Sequence, residues 1–188
     1  AYESVSALDD EESGSDAARW RLPPVGPKAD ADRKAKYEKA KALLAGVDAA
    51  GLSDDEKLTR QILDWSLDDK LAGLSFDESR MPFSSDGGFD VTLLYRASSA
   101  RLKNEDEARK WIALLAQAPD WYAANIAEAR RGIASGFVHT RMTAQSVLER
   151  AQRAAATPAA EDPLLAPLRA LPASVPAEGK AALIAEGE

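Results

Sequence analysis

The fold is decided by a stretch that begins with FDESRMPFSSDGGF at residues 76–89 and runs to Gln152. Its opening interrupts the helical pattern of the preceding residues, because Pro82 and the Gly87-Gly88 pair both disfavour helix. An Asp-Gly pair at residues 86–87 is a typical hairpin turn, and residues 89–95 are rich in aromatic and β-branched side chains. We therefore predict a small β-hairpin near residues 80–95, with Pro82 on an edge strand. A short helical turn over residues 91–95 is the alternative.

The rest of this stretch predicts three consecutive helices. Asn104 is a good N-cap for the first helix and Asp120 for the second. Gly136 lies where the second helix would end in a left-handed C-cap. The third helix is predicted from about residue 143 to residue 156. The apolar residues that recur at helical spacing are Ala108, Trp111, Ile112, Leu115, Tyr122, Ile126, Ala129, Ile133, Val147, Leu148 and Ala151.

Two further helices are predicted before this stretch. The first runs from about Asp32 to Gly46, and the second begins at a capping box formed by Ser53 and Glu56. Joined by a short loop, they would form a helical hairpin. The apolar stripe of the second helix comprises Leu58, Ile62, Trp65, Leu67, Leu71 and Leu74. We expect this stripe to face a core, because apolar helix stripes normally do.

The two ends of the chain complete the organisation. Residues 1–29 combine an acidic run at residues 9–12 with a Pro-rich segment at residues 23–27, which predicts an irregular arm. Short helices are predicted after Pro163 and Pro176, since proline favours the first helical position. The sequence therefore predicts a mainly α fold, a multi-helix bundle of helical hairpins, with one helical domain over residues 30–188.

Composition excludes several classes of function. The net charge of −7 argues against nucleic acid as a partner. The absence of cysteine excludes disulfides and thiolate zinc sites, and a single histidine excludes the two-histidine metal motifs. No apolar run approaches the length that spans a bilayer.

The candidate binding residues are a histidine, arginines and an aromatic residue. His139 is predicted in an interhelical loop, near Arg141 and the Arg130-Arg131 pair, where it could help to bind a carboxylate or phosphate. A histidine that only hydrogen-bonds locally is the alternative. Arg80 and Phe83 could line a groove, although Arg80 could equally pair with a neighbouring acidic residue.

Three segments in the central stretch resemble the bacterial "domain of unknown function 885" family. They are RMPFS with GF at residues 80–84 and 88–89, WIALL with a later proline at residues 111–119, and RGIASG at residues 131–136 preceded by Ile126. Looser similarity extends the resemblance to most of residues 31–188. The resemblance implies a mainly helical, carboxypeptidase-like fold, zinc-dependent peptidase activity and, for many members, export.

The family's zinc motif, a His-Glu pair followed by Pro-Gly-His, belongs to the C-terminal half of such proteins and has no match here. The resemblance therefore gives this chain no catalytic or metal-binding residue. We expect a non-catalytic N-terminal portion of a larger peptidase, inactive alone, that forms one wall of the substrate cleft. The wall residues would be Arg80, Phe83, His139 and Arg141.

The partners implied by the resemblance are a C-terminal half that carries the zinc and a peptide substrate. This chain itself would bind no cofactor. A periplasmic location is implied by the resemblance only, since the sequence has no signal-like segment at Ala1. The alternative is a self-sufficient helical binding or scaffold domain, which predicts that every apolar stripe is covered internally.

Overall fold

The computed structural model describes residues 19–187. Most of the acidic arm predicted over residues 1–29 lies outside the described residues. Within them the chain divides into two compact units. Unit 1 comprises Arg19 and Pro23–Ser79, and unit 2 comprises Trp20–Leu22 and residues 80–187. The described helices show the mainly α fold that the sequence predicts.

Unit 1 is a pair of packed helices, α1 (Pro27–Ala45) and α2 (Asp54–Ser75). Helix α1 begins before its predicted start at Asp32, because Pro27 occupies the first helical position, where proline is favoured. The predicted capping box is confirmed: the Ser53 amide donates to Glu56 Oε2 (2.8 Å) and the Glu56 amide to Ser53 Oγ (3.4 Å). The core between the helices comprises Tyr37, Ala40, Leu44 and Leu67, with Leu63, Leu71 and Leu74 packed against it.

Half of the predicted α2 stripe does not face this core. Leu58, Ile62 and Trp65 are 56, 54 and 69% exposed. They occupy the side of α2 opposite to its buried leucines, and α1 covers only one side. The prediction that all six apolar residues pack internally is therefore wrong for these three.

Unit 2 contains the remaining helices. In chain order they are α3 (Phe89–Ser99), α4 (Glu105–Leu115), α5 (Ala118–Ser135), α6 (Arg141–Ala156), α7 (Ala166–Arg169) and α8 (Ala177–Gly187). Helix α3 contacts α5, α6 and α7, and α8 packs on α4 and α7. The core comprises Ala97, Leu102, Ala108, Trp111, Leu114, Leu165, Leu168, Leu171, Val175 and Leu183.

Most ends of these helices agree with the sequence prediction. Asn104 Oδ1 accepts the Glu107 amide at 2.9 Å, and Gly136 ends α5 in the left-handed conformation, with φ of 74°. Asp120 is not the N-cap of α5, because the helix begins earlier and places Asp120 in its first turn. None of the described helices is both long enough and apolar enough to cross a membrane.

The predicted β-hairpin is wrong. Residues 89–99 form α3, so the alternative of a helical turn over residues 91–95 was closer. Leu93 is fully buried and Ala97 is 5% exposed one helical turn later, and both face the interior of unit 2. This packing outweighs the strand preference of the aromatic and β-branched residues, whose intrinsic preferences are weak.

The turn before α3 retains one feature of a hairpin. Phe83 and Gly88 form an isolated antiparallel bridge, and the Ser84 amide donates to the Gly87 carbonyl oxygen at 2.6 Å. Within the described residues no strand extends from this bridge. The chain therefore reverses in a tight turn and passes directly into a helix.

Candidate functional site

The turn at residues 82–88 requires glycine at position 88. Gly88 has φ of 135°, a region that side chains rarely adopt. A β-carbon there would overlap the backbone of Phe83 and lie 2.9 Å from the Pro82 carbonyl oxygen. This close approach holds the Phe83 side chain at the base of the turn.

Arg80, just before the turn, lies against the C-terminal end of α5. Its Nη1 donates to Ser135 Oγ at 3.1 Å, and its guanidinium lies 4.2 Å from the centre of the Phe137 ring. The approach is possible because position 132 is glycine: a β-carbon there would overlap the Arg80 carbonyl oxygen and lie 2.7 Å from that of Phe137.

Phe83 stacks on His139. Their ring centroids are 4.2 Å apart and their planes differ by 23°. The Nε2 atom of His139 is buried and has no hydrogen-bond partner among the described residues. Burial lowers the pKa of His139 below its ordinary value, so the ring is predominantly neutral at pH 7. The imidazole is therefore a neutral hydrogen-bonding group rather than a cation.

Three of the four predicted groove residues thus take part in two contacts of unit 2: Arg80 with Phe137, and Phe83 with His139. We call the residues Arg80, Phe83, Phe137 and His139 the Phe83–His139 surface. It combines one fixed positive charge, three rings and a polar atom with no protein partner. Such a combination can bind apolar side chains together with a carbonyl or carboxylate oxygen.

The structure does not bring the other predicted arginines into this surface. Arg141 is exposed at the first residue of α6, and its side chain forms no hydrogen bond or ion pair with another described residue. Arg130 is exposed on α5. Arg131 forms an ion pair with Glu128, whose carboxylate it contacts at 2.5 Å. That carboxylate is buried, so Arg131 compensates its charge.

The turn is supported by an ion pair that the sequence does not indicate. Arg150 of α6 donates through Nε to Asp90 Oδ2 at 2.7 Å. Its guanidinium also donates to the carbonyl oxygens of Ser84 (3.4 Å) and Ser85 (3.0 Å). The side chains of Arg150 and Asp90 are 21 and 11% exposed. The two residues lie 60 positions apart, and no local sequence signal links them.

An aromatic cluster lies beside this ion pair. The ring of Phe89 meets those of Trp121 and Tyr122 edge to face, at centroid distances of 6.3 and 5.6 Å. Burial, and then the negative charge of Asp90, raise the pKa of Tyr122 above its ordinary value. The cluster anchors the first turn of α3 next to the turn that carries Phe83.

Unit 1 contains a separate surface cavity of about 330 Å³. It lies between the N-terminal part of α1 and the C-terminal part of α2, and mixes both signs of charge. Arg33 pairs with Asp30 at 2.5 Å, and Lys70 lies 5.5 Å from the centre of the Tyr37 ring. The cavity contains none of the predicted site residues.

The described residues include no cluster of candidate metal ligands. Across residues 19–187 no three His, Asp or Glu side chains lie close enough together to hold a metal ion. The one histidine of the sequence stacks on Phe83, where carboxylates do not converge on its free nitrogen.

Comparison with known proteins identifies a family. The sequence model of a family described as "Bacterial protein of unknown function (DUF885)" matches residues 10–188. No curated protein and no solved structure matches the chain.

Proposed function

The chain belongs to the family of bacterial proteins of unknown function DUF885, and from this premise we propose that it is a non-catalytic portion of a zinc-dependent peptidase. In this proposal the chain forms one wall of the substrate cleft. The Phe83–His139 surface is the part of the wall that contacts substrate. The peptidase activity is implied by the family resemblance. The zinc ligands would lie outside this sequence.

The observation that supports the proposal is the contact between Phe83 and His139. It brings together two residues separated by 56 positions and leaves a buried imidazole nitrogen without a protein partner. Buried polar atoms are normally hydrogen-bonded, and we infer that a ligand reaches this unpaired nitrogen when the His139 side chain moves on binding. A peptide backbone supplies both donors and acceptors for such a nitrogen.

The ring faces and the arginine suit different parts of a peptide. The rings of Phe83 and Phe137 would pack against apolar side chains, and the Arg80 guanidinium would bind a carbonyl or a terminal carboxylate. Arg80 is oriented by Ser135 and by the Phe137 ring, so little of its side-chain freedom would be lost on binding. Arg141 remains a wall residue in the proposal, as an exposed charge at the start of α6.

A direct test uses the single histidine as a probe. A mixture of short synthetic peptides with free carboxyl termini is added to the chain, and the imidazole resonances are followed by NMR. We expect them to shift in a saturable way, and the Phe83→Ala variant to lose the shift. Phe76→Ala, which truncates an exposed aromatic residue of unit 1, is the matched control and should respond like the wild type. An unresponsive His139 in the wild type would contradict the proposal.

A second experiment tests the absence of catalysis in this chain. Elemental analysis should find no stoichiometric zinc in the purified protein, and the same peptide mixture should remain intact on incubation with added zinc. Stoichiometric zinc, or cleavage that persists through further purification, would overturn the proposal.

The alternative of a self-sufficient scaffold domain predicts internally covered stripes. The exposure of Leu58, Ile62 and Trp65 does not favour it.

A further inference from the structure

The side of α2 that faces away from α1 carries a regular pattern of residues. Asp55, Leu58, Ile62, Trp65 and Asp69 follow one another at intervals of three, four, three and four residues. This spacing places all five on one side of a helix, and all five are exposed. We call them the outer stripe of α2. From Asp55 to Asp69 it extends about 21 Å along the helix axis.

The outer stripe has an apolar centre and acidic ends. The three apolar side chains lie between two carboxylates, and neither Asp55 nor Asp69 forms an ion pair with a described residue. The basic residues of α2 lie elsewhere on the helix: Lys57 pairs with Asp54, and Arg60 donates to the Leu44 carbonyl oxygen. The stripe therefore presents apolar anchors with a carboxylate at each end that forms no ion pair with a described residue.

We propose that the outer stripe of α2 binds a basic amphipathic helix of a protein partner. A helix with apolar residues at intervals of three and four would pack along Leu58, Ile62 and Trp65, as paired helices do in coiled coils. Lysine or arginine near both of its ends would meet Asp55 and Asp69. Because both ends of the stripe are acidic, either helix direction satisfies the charges.

Charge disfavours two other occupants. A second copy of α2 packed on the stripe would bring aspartates against aspartates, without a lysine or arginine on that side of the helix to compensate them. The N-terminal segment of this chain is equally unsuitable. Residues 1–18 contain six acidic residues and no lysine or arginine.

This surface is independent of the proposed peptide site. It lies in unit 1 and shares no residue with the Phe83–His139 surface of unit 2. Failure of one proposal would therefore leave the other unaffected.

The test uses a synthetic peptide of roughly 18 residues, long enough to cover the stripe as a helix. Its leucines follow the three-and-four spacing, lysines lie near both ends, and the remaining residues are alanine and glutamine. Two matched peptides serve as controls: one has glutamate in place of each lysine, and the other has the same composition in scrambled order. Binding of each labelled peptide to the full chain is measured by fluorescence anisotropy at low ionic strength.

We expect saturable binding of the lysine peptide only. The emission of Trp65, the most exposed of the four tryptophans, should shift to shorter wavelength as the peptide covers it. Trp65→Ala should weaken binding by roughly tenfold or more, because large aromatic anchors dominate such interfaces. Asp69→Lys should weaken it by a similar factor at low salt and by less at high salt, because mobile ions screen exposed charges.

Control variants separate the stripe from general attraction to an acidic protein. Glu149→Lys on α6 makes the same change of charge on an exposed helix position of unit 2, and Ile133→Ala removes an exposed apolar side chain of α5. Both should bind the lysine peptide like the wild type. Asp69 lies in the middle of α2 and is exposed, so its substitution should leave the helical circular dichroism unchanged.

Three results would overturn the proposal. The lysine and glutamate peptides could bind equally well, or Asp69→Lys and Glu149→Lys could weaken binding equally. Sedimentation could show a dimer of the chain that Trp65→Ala abolishes, which would make a second copy the occupant. Binding of neutral phosphatidylcholine vesicles with the same shift of Trp65 emission would make a lipid surface the occupant.

Discussion

The carbonyl oxygen of Arg80 lies where a β-carbon on residue 132 would be, so only glycine at position 132 allows the two backbones to meet. The same contact places the Arg80 side chain over Phe137 and within hydrogen-bonding distance of Ser135. The Phe83–His139 surface therefore depends on the absence of a side chain at position 132 as well as on the side chains that form it.

Replacement of Gly132 should separate Arg80 from α5. Gly132→Ala would force the Arg80 backbone away and lower the free energy of unfolding by about 1–3 kcal/mol, the usual cost of overpacking. The loss should exceed the gain in helix propensity that alanine brings. Denaturant unfolding followed by circular dichroism measures the change, and the imidazole resonances of His139 should shift because the neighbouring Phe137 moves.

Gly73→Ala is the matched control for this substitution. Gly73 is also helical, near the end of α2, and a β-carbon there meets nothing within 4 Å. Alanine at this position should raise the free energy of unfolding by about 0.5–1 kcal/mol, because glycine is the poorer helix former. Equal effects of the two substitutions would contradict the packing argument.

Loss of Arg150 should release the turn that carries Phe83. Arg150→Ala removes the partner of a largely buried Asp90 carboxylate and the donor to two carbonyl oxygens of the turn. We expect the free energy of unfolding to fall by about 1–3 kcal/mol, the cost of a buried group left without its hydrogen bond. Arg150→Lys should retain the charge but not all three contacts, and give a smaller loss.

The control for this prediction is an exposed ion pair. Lys28 and Asp32 form one on the first turns of α1, with side chains that are 90 and 63% exposed. Lys28→Ala should leave the stability within experimental error, because water and salt screen such pairs. The same ring-current shift of His139 in the Arg150 and Lys28 variants would show that Arg150 does not position the turn.

A helix cap gives a further prediction. Asn104→Ala should lower the free energy of unfolding by about 1 kcal/mol, since the Glu107 amide loses its acceptor at the start of α4. Asn104→Asp should retain the stability, because aspartate accepts the same bond and its charge favours a helix N-terminus. Thermal unfolding of the two variants beside the wild type measures the difference.

The sequence predicted those features that depend on neighbours in the chain. The capping box of Ser53 and Glu56, the Asn104 cap and the left-handed Gly136 are local arrangements, and the structure contains all three. The approach of Arg80 and Phe83 to the His139 loop was expected only as a common groove. The contacts of Gly132 with the Arg80 backbone and of Arg150 with the turn come from α5 and α6, and no local pattern indicates them.

The wrong predictions concern features that depend on contacts between residues far apart in the sequence. Apolar spacing in α2 describes two opposite sides of one helix, and only the position of α1 decides which side is buried. In α3, the burial of Leu93 favours the helical conformation and outweighs the strand preference of the neighbouring residues. The pairing of Asp90 with Arg150 likewise follows from the contact of α3 with α6, which no local pattern indicates.

The stability of unit 2 should depend on the protonation of His139. Burial lowers the pKa of His139 in the folded state below the ordinary value of about 6.5. The unfolded chain therefore binds the proton first as the pH falls, so the free energy of unfolding decreases from about pH 6.5 down to the folded-state pKa and changes no further below it.

His139→Gln should lack this decrease. The difference between wild type and variant, measured by denaturant unfolding between about pH 7.5 and 5, isolates the effect because the chain has no other histidine. Two results would contradict the prediction: stability curves of wild type and variant that stay parallel across this pH range, or an imidazole whose pKa by NMR lies at or above the ordinary value. A neutral ring held against Phe83 must resist protonation.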